Sequence, residues 1–137
     1  MSGINAIGAF HNSYIQPQKK VKKEEDENAQ NAEFEAYKQQ TNNHILNHER
    51  AHQAAAGSLG GGIVIEKNAD GVAFAGHVPI KIPEVTASNA ESAKKDNEQV
   101  KTAALAPSDP SGQDYMVAAQ AQANINKALM MMKQQQA

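Results

Sequence analysis

The residues best suited to chemistry are two histidines four positions apart, His48 and His52, with Glu49 directly after the first. On an α-helix, side chains four residues apart lie one above the other, so both imidazoles can bind one metal ion. Glu49 projects beside the pair and can take a proton from a metal-bound water. This H-E-x-x-H pattern is typical of zinc-dependent hydrolases, and it predicts Zn²⁺ as the cofactor and Glu49 as the catalytic base.

The motif requires a helix, and the residues around it favour one. Ala51 and residues 54–56 are strong helix formers, and Gly57 is a natural stop just after them. We therefore predict a helix from about residue 28 to Ala56. Five of its residues keep helical spacing and predict one face turned toward a core, namely Phe34, Tyr37, Thr41, Ile45 and His48.

The composition limits the chemistry that this helix can support. The chain has no cysteine, so a metal must be held by histidine and carboxylate side chains. A net charge of −2 argues against a general nucleic-acid-binding protein. No apolar stretch is long enough to span a bilayer and no signal peptide of the usual layout is present, so we expect a cytoplasmic protein. Five histidines leave one alternative open, an exposed polar helix that carries the motif by chance.

Residues 1–27 have the composition of a disordered, charged tail. A basic block with four lysines, 19–23, directly precedes an acidic block, 24–27. Such blocks have little to bury and are solvated. We therefore predict one domain over residues 28–133, followed by a frayed end at 134–137.

A β-hairpin is predicted after the motif helix. Two β-rich runs, 63–67 and 72–80, flank a turn at Asp70–Gly71. Two strands alone are marginally stable, so this ribbon must lie against the helices. Pro79 implies that the second strand ends near it.

Two further helices are predicted in the last third of the chain. The first is expected to open at Pro83–Glu84, with a capping box formed by Ser88 and Glu91. The second is expected to start with Asp109 as its cap and Pro110 in its first position. Together the elements predict an α+β fold that is mostly α: a long motif-bearing helix, one β-hairpin, two C-terminal helices and a disordered N-terminal tail.

A catalytic zinc site needs a third protein ligand, and His77 is the first candidate. It ends an apolar strand that must fold back on the motif helix, and Gly76 before it permits a close approach of the backbone. Glu84 and Glu66 are the alternatives. His44 lies one turn before His48, but the ends of a His44–His52 row are about 12 Å apart, too far for one ion. We therefore expect His44 to be exposed or to support a ligand.

A group that stabilises the transition state is less evident from the sequence. The candidates are Tyr115, Tyr37 and Arg50, the only arginine. The pattern does not rank these three firmly.

Beyond the motif, longer strings of the chain are informative. They are residues 48–57, the Asp70–Gly71 turn, Gly76–His77, Pro83–Glu84, residues 103–111 (A-A-L-A-P-S-D-P-S) and Gln113–Asp114. Together, over roughly residues 40–125, they resemble the SprA-related family, small bacterial proteins described as metalloproteases. The resemblance implies zinc bound by His48 and His52, with Glu49 as the base. Relatives tend to carry an acidic residue where this chain has His77, and since Glu and His both bind zinc, that exchange fits a ligand position.

The sequence thus predicts a zinc-dependent metallopeptidase that acts on a peptide or protein. The edge of the 63–80 ribbon could hold an extended peptide by strand addition. The alternative is a non-catalytic helical interaction module with a structural or vestigial metal site, because a metal would stabilise a domain with so small a core. Glu49 distinguishes the two hypotheses, since a purely structural site has no need of a carboxylate between its ligands.

Overall fold

The computed structural model describes the backbone of residues 2–136 and the side chains of residues 23–136. The chain divides into two compact units, Met1–Gln40 and Thr41–Ala137. The predicted α+β class, mostly α with one hairpin and two C-terminal helices, is confirmed. The elements are α1 (Ser2–Ala56), β1 (Val64–Lys67), β2 (Ala73–His77), α2 (Ala90–Ala104) and α3 (Gly112–Gln136), with a 3₁₀ turn at Gly57–Leu59 after α1.

Helix α1 ends at Ala56 as predicted. Gly57 follows with φ +55°, a left-handed conformation that glycine adopts without strain. The start differs from the prediction, because residues 23–27 are helical rather than part of a tail, although their side chains are exposed. The rest of the predicted disordered tail falls on residues 1–22, whose side chains lie outside the described residues.

The predicted apolar face of α1 is only partly correct. Phe34 and Tyr37 are 39% and 58% exposed, whereas Thr41, Ile45 and His48 are half-buried. Helical spacing identifies residues on one face, but it does not show how far another element covers that face.

The predicted hairpin is confirmed, and its turn is fixed by a side chain. Asn68 Oδ1 accepts the backbone N–H of Asp70 and of Val72, each at 3.0 Å, and Gly71 takes φ +79°. Strand β2 ends ahead of Pro79, as expected. The antiparallel register pairs Val64 with His77, Ile65 with Gly76, Glu66 with Ala75 and Lys67 with Ala73, with a bulge between Glu66 and Lys67.

The predicted start of α2 is wrong. The helix begins at Ala90, and Ser88 and Glu91 do not form its capping box. Instead Asn89 occupies the cap position, with its side chain turned back onto the preceding loop, where Oδ1 accepts the N–H of Thr86 at 2.7 Å. An Asx-type bond to the loop has displaced the expected serine cap.

The predicted start of α3 is also wrong, by a few residues. Asp109 and Pro110 lie in the preceding loop, and the helix begins at Gly112 after Ser111. Ser111 Oγ accepts the N–H of Asp114 at 3.1 Å, and Asp114 Oδ2 accepts the N–H of Ser111 at 2.8 Å. This reciprocal pair is a capping box, in which aspartate takes the place of the usual glutamate.

Helices α2 and α3 pack through small side chains around one buried amide. Asn97 is fully buried: Nδ2 donates to the carbonyl oxygens of Ala93 at 2.8 Å and Pro83 at 3.1 Å, and Oδ1 accepts Asn124 Nδ2 at 2.9 Å. These bonds join both helices and the loop before α2. The buried apolar residues are mostly alanine: Ala56, Val72, Ala73, Val85, Ala90, Ala93, Val100, Ala103, Ala104, Ala118, Ala121, Ile125 and Ala128.

The domain limits predicted at residues 28 and 133 stay predictions, and α3 continues to Gln136. Among the residues that the structure describes, no helix combines the length and the apolarity needed to cross a membrane.

We predict that Asn97→Ala destabilises the fold by about 1–3 kcal/mol, because the Asn124 amide and the Pro83 carbonyl lose their buried partner. Urea unfolding followed by circular dichroism measures this. Asn43→Ala, at an exposed position of α1, is the matched control and should leave stability nearly unchanged. Equal effects of the two substitutions would show that the buried amide contributes nothing specific.

Candidate metal centre

Two neighbouring faces of α1 carry the candidate site. One face presents His48 and His52 to the ends of α2 and α3 that meet near the 105–111 loop. The other presents Ile45 and Glu49 to the hairpin. The H-E-x-x-H spacing produces this division, since Glu49 is one residue, about 100°, around the helix from His48.

Three polar atoms converge on the first face. Nε2 of His48 lies 3.2 Å from Nε2 of His52. Asp114 Oδ2 lies 3.1 Å from the first of these nitrogens and 3.2 Å from the second. The three atoms form a nearly equilateral triangle, with a vertex each from His48, His52 and the first turn of α3.

The hydrogen bonds at Nδ1 show which nitrogen of each imidazole carries the proton. His52 Nδ1 lies 2.7 Å from the carbonyl oxygen of Ala103, which can only accept, so Nδ1 carries the proton. His48 Nδ1 lies 3.2 Å from Asp109 Oδ1 and donates to it. In neutral imidazoles, therefore, both Nε2 atoms present lone pairs to each other and to a carboxylate oxygen. Three electron-rich atoms at this distance require a cation between them, either an added proton or a metal ion.

Asp114 is held in place by the start of α3. Its Oδ2 is the atom that accepts the Ser111 N–H in the capping box, so the helix terminus fixes the carboxylate before any ligand arrives. Burial alone would raise the pKa of Asp114, but the Ser111 N–H and the charge of the nearby His52 hold that pKa below its ordinary value. The carboxylate is therefore ionised and available to a cation at neutral pH.

The donor set fits a metal ion. His48, Glu49 and His52 place one ligand atom each within 4.8 Å of one another, a group that could hold a metal. Ligands about 2.0–2.1 Å from a tetrahedral zinc lie about 3.3 Å apart, close to the edges of the His48–His52–Asp114 triangle. The Nδ1 bonds to Asp109 and to Ala103 O are of the kind that orient metal-binding imidazoles.

Glu49 is buried without a partner. The side chain is 5% exposed, and Oε2 has no hydrogen-bond partner among the described residues. Burial raises the pKa of Glu49, opposed by the nearby imidazoles of His52 and His48. A buried carboxylate oxygen with nothing to accept is costly, and such exceptions concentrate at functional sites.

Strand β2 creates this environment by close approach. A Cβ on Gly76 would lie 2.9 Å from Glu49 Cγ and 2.9 Å from Ile45 Cγ2, distances that real Cβ atoms essentially never show. Only glycine therefore allows the strand to lie directly on Glu49.

Asp109 links the site to the surface. The hydrogen bond from His48 is the main cause that lowers the pKa of Asp109. Its other oxygen, Oδ2, lies 3.4 Å from Nε2 of His44, whose side chain is 70% exposed. His44 is therefore exposed, as expected, and contacts the same carboxylate that accepts the hydrogen bond of His48.

The structure brings His48, Glu49 and His52 together but does not add His77 to that group. Gly76 faces α1, and His77 next to it is exposed. The imidazole of His77 is near enough to Glu49 to oppose, with His52 and His48, the rise that burial causes in the pKa of that carboxyl group, so the role of His77 as a ligand stays a prediction. Glu66 in β1 and Glu84 in the loop before α2 are exposed as well. Tyr115 follows Asp114 and is 57% exposed, and its role as a transition-state stabiliser stays a prediction.

Asp114 is the residue that the sequence interpretation missed. One local signal was present, because Ser111 and Asp114 are spaced as a capping box. That signal predicts where α3 begins, but not that the carboxylate reaches α1, more than sixty residues earlier in the chain.

We predict that Glu49→Gln stabilises the metal-free protein at neutral pH. The pKa of Glu49 is raised in the fold, so the native state binds this proton more tightly than the unfolded chain does. Stability is therefore lost as pH rises from the ordinary pKa of 4.5 through the raised one. Glutamine removes that loss, and thermal unfolding in the presence of a chelator measures the gain. Glu66→Gln, at an exposed strand position, should show none, and a lower melting temperature for Glu49→Gln would contradict the prediction.

Comparison with known proteins agrees with the resemblance seen in the motif strings. No curated protein and no solved structure shows significant similarity to the chain. The sequence model of the SprA-related family matches residues 9–137, which include every residue of the candidate site. The chain belongs to the SprA-related family.

Proposed function

We propose that this protein is a zinc-dependent metallopeptidase in which His48, His52 and Asp114 hold the metal and Glu49 acts as the general base. Two imidazoles and one carboxylate are a ligand set of catalytic zinc sites, which keep one position open for water or substrate. The substrate class that follows is a peptide or protein.

One observation carries the proposal. Two lone-pair-bearing imidazole nitrogens and a carboxylate oxygen lie 3.1–3.2 Å apart. Each imidazole is held by a hydrogen bond at Nδ1, and the carboxylate oxygen accepts the N–H of Ser111. The buried and unpartnered Oε2 of Glu49 adds to it, since a base needs a free lone pair where the reacting proton will be.

The metal ion, Glu49 and the residues that orient the imidazoles have separate roles in the proposed reaction. A bound zinc ion would polarise the scissile carbonyl and lower the pKa of the attacking water. Glu49 Oε2 accepts the proton that this water releases on attack and then delivers it to the nitrogen of the leaving amine. The raised pKa of Glu49 suits both steps, because a carboxylate with a higher proton affinity is a stronger base. Asp109 and Ala103 keep the imidazoles in the tautomer that binds metal through Nε2.

We predict that Asp114→Asn weakens zinc binding by about a hundredfold or more, because the amide keeps the acceptor of the capping box but loses the charge of the ligand. Asp109→Asn should weaken it by about tenfold, as a residue that supports a ligand. His77→Ala should have no effect, and Asp70→Asn, at an exposed turn, is the matched control. Elemental mass spectrometry of wild-type protein, with about one zinc per chain expected, and chelator competition for the variants measure these effects.

Three results would contradict the proposed ligands, cofactor or function. Full zinc binding by Asp114→Asn, together with its loss in His77→Ala, would return the third position to His77. Iron in place of zinc would contradict the proposed cofactor, because two histidines and one carboxylate also bind iron(II) in oxygenases. No metal after metal-replete expression would leave a non-catalytic protein.

A structural metal site in a helical interaction module is the second candidate function. The observation that favours it is the position of Glu49, whose carboxylate lies within 4.8 Å of the imidazole ligand atoms and could act as a fourth ligand. Four protein ligands would close the site, as in structural zinc sites. The alanine-rich core would then depend on the metal for its stability.

Glu49→Gln separates the two functions. For a peptidase, we predict that zinc affinity and fold are retained while hydrolysis of casein falls by about a hundredfold or more, because the base is lost. Glu84→Gln, at an exposed position, should retain full hydrolysis. If Glu49→Gln instead loses zinc and unfolds, Glu49 is a structural ligand and the catalytic assignment fails.

A further inference from the structure

The hairpin is attached to α1 by the side-chain amide of Asn42. Its Oδ1 accepts the N–H of Ala73 at 2.7 Å, and its Nδ2 donates to the carbonyl oxygen of Gly71 at 3.1 Å. One amide thus bonds a donor and an acceptor at the start of β2, as a backbone peptide group of a neighbouring strand would. Asn42 is itself half-buried and Ala73 is 2% exposed, so water competes poorly for these bonds.

A second contact lies further along the same face of α1. Asn42, Ile45 and Glu49 follow the i, i+3, i+7 spacing of one helical face. The latter two are the residues that leave no room for a Cβ on Gly76. Strand β2 therefore begins on Asn42 and crosses Glu49 three residues later.

The two contacts fix β2 on α1 at both ends of its bulged segment. Ala73 and Gly76 pair with Lys67 and Ile65, so three steps along β2 lie opposite two steps along β1. If β2 were shifted by one residue along α1, Ala75 or His77 would take the place of Gly76. Each of these has a Cβ, and there is no room for a Cβ at that place. The bond between Asn42 and Ala73 selects the register that avoids this clash.

We propose that Asn42 is a positioning residue for Glu49. Its two hydrogen bonds set the register of β2 on α1, so that Gly76 lies against Cγ of Glu49 and holds that side chain in its buried position. The inference rests on the proposed function for the role of Glu49 as a base, but the register itself does not depend on that role.

The test compares zinc-loaded full-length Asn42→Leu with Asn43→Leu, a matched change at the adjacent, exposed position. In Asn42→Leu, amide exchange of Ala73 should accelerate by about tenfold or more, because its acceptor is gone. The nuclear Overhauser effect between the Gly76 α-hydrogens and the Ile45 γ2-methyl group should weaken. Hydrolysis of casein should fall by about tenfold or more at unchanged zinc affinity, because the base is no longer held in place. Asn43→Leu should match the wild type in all of these measurements.

Two results would overturn the proposal. The first is an Asn42→Leu protein with wild-type exchange at Ala73 and a wild-type Gly76–Ile45 effect, which would show that Asn42 does not set the register. The second is a protein that loses both signals yet hydrolyses casein at the wild-type rate per bound zinc, which would make Asn42 structural only. If zinc-loaded wild-type protein hydrolyses nothing, the proposed function fails, and the exchange rate and the Overhauser effect still decide the register.

Asn42→Asp provides the second variant if Asn42→Leu does not fold. Aspartate keeps the acceptor for Ala73 N–H and removes the donor to Gly71 O. We expect Ala73 exchange within about twofold of the wild type and hydrolysis within about threefold of it, because the bond to Ala73 is kept. Wild-type protection of Ala73 together with a loss of hydrolysis of about tenfold or more would contradict the positioning role.

Discussion

The candidate site depends on an electrostatic constraint: two imidazole lone pairs and a carboxylate oxygen cannot share a space about 3 Å wide without a cation. The backbone carbonyl of Ala103 and the carboxylate of Asp109 accept hydrogen bonds from the Nδ1–H groups of the two imidazoles, which leaves the Nε2 lone pairs facing each other. Helices α2 and α3 and the loop between them supply the groups that impose this constraint. The motif helix supplies the two histidines, and the rest of the Thr41–Ala137 unit supplies the carboxylate and carbonyl groups that surround them.

The hairpin contacts Glu49 rather than the histidines. Where the helices surround the histidines with polar partners, β2 covers Glu49 with backbone and offers Oε2 no hydrogen bond. The result is one face of α1 that attracts a cation next to another that makes a carboxylate more basic. Catalytic sites commonly pair groups whose surroundings differ in this way.

Local sequence signals predicted the elements but not the contacts between them. The alanine run before Gly57 predicted the end of α1, and Asp70–Gly71 predicted the hairpin, because both depend on the preferences of a few adjacent residues. The third partner of the two histidines could not be predicted in this way. His77 was favoured because its strand had to return to α1, but which strand face meets the helix depends on the register, and Gly76 faces the helix. Asp114 lies beside the histidines because the loop that joins α2 to α3 places the start of α3 next to α1.

The capping box of α3 has a consequence for the strength of the site. The aligned peptide dipoles of a helix place a partial positive charge at its N-terminus, and Asp114 lies in the first turn of α3. Part of the negative charge of this carboxylate is therefore already neutralised by its own helix, and its Oδ2 shares its lone pairs with the Ser111 N–H. In the proposed zinc site, such a ligand would donate less charge and leave the metal ion more electron-poor. That ion would withdraw more electron density from a bound carbonyl.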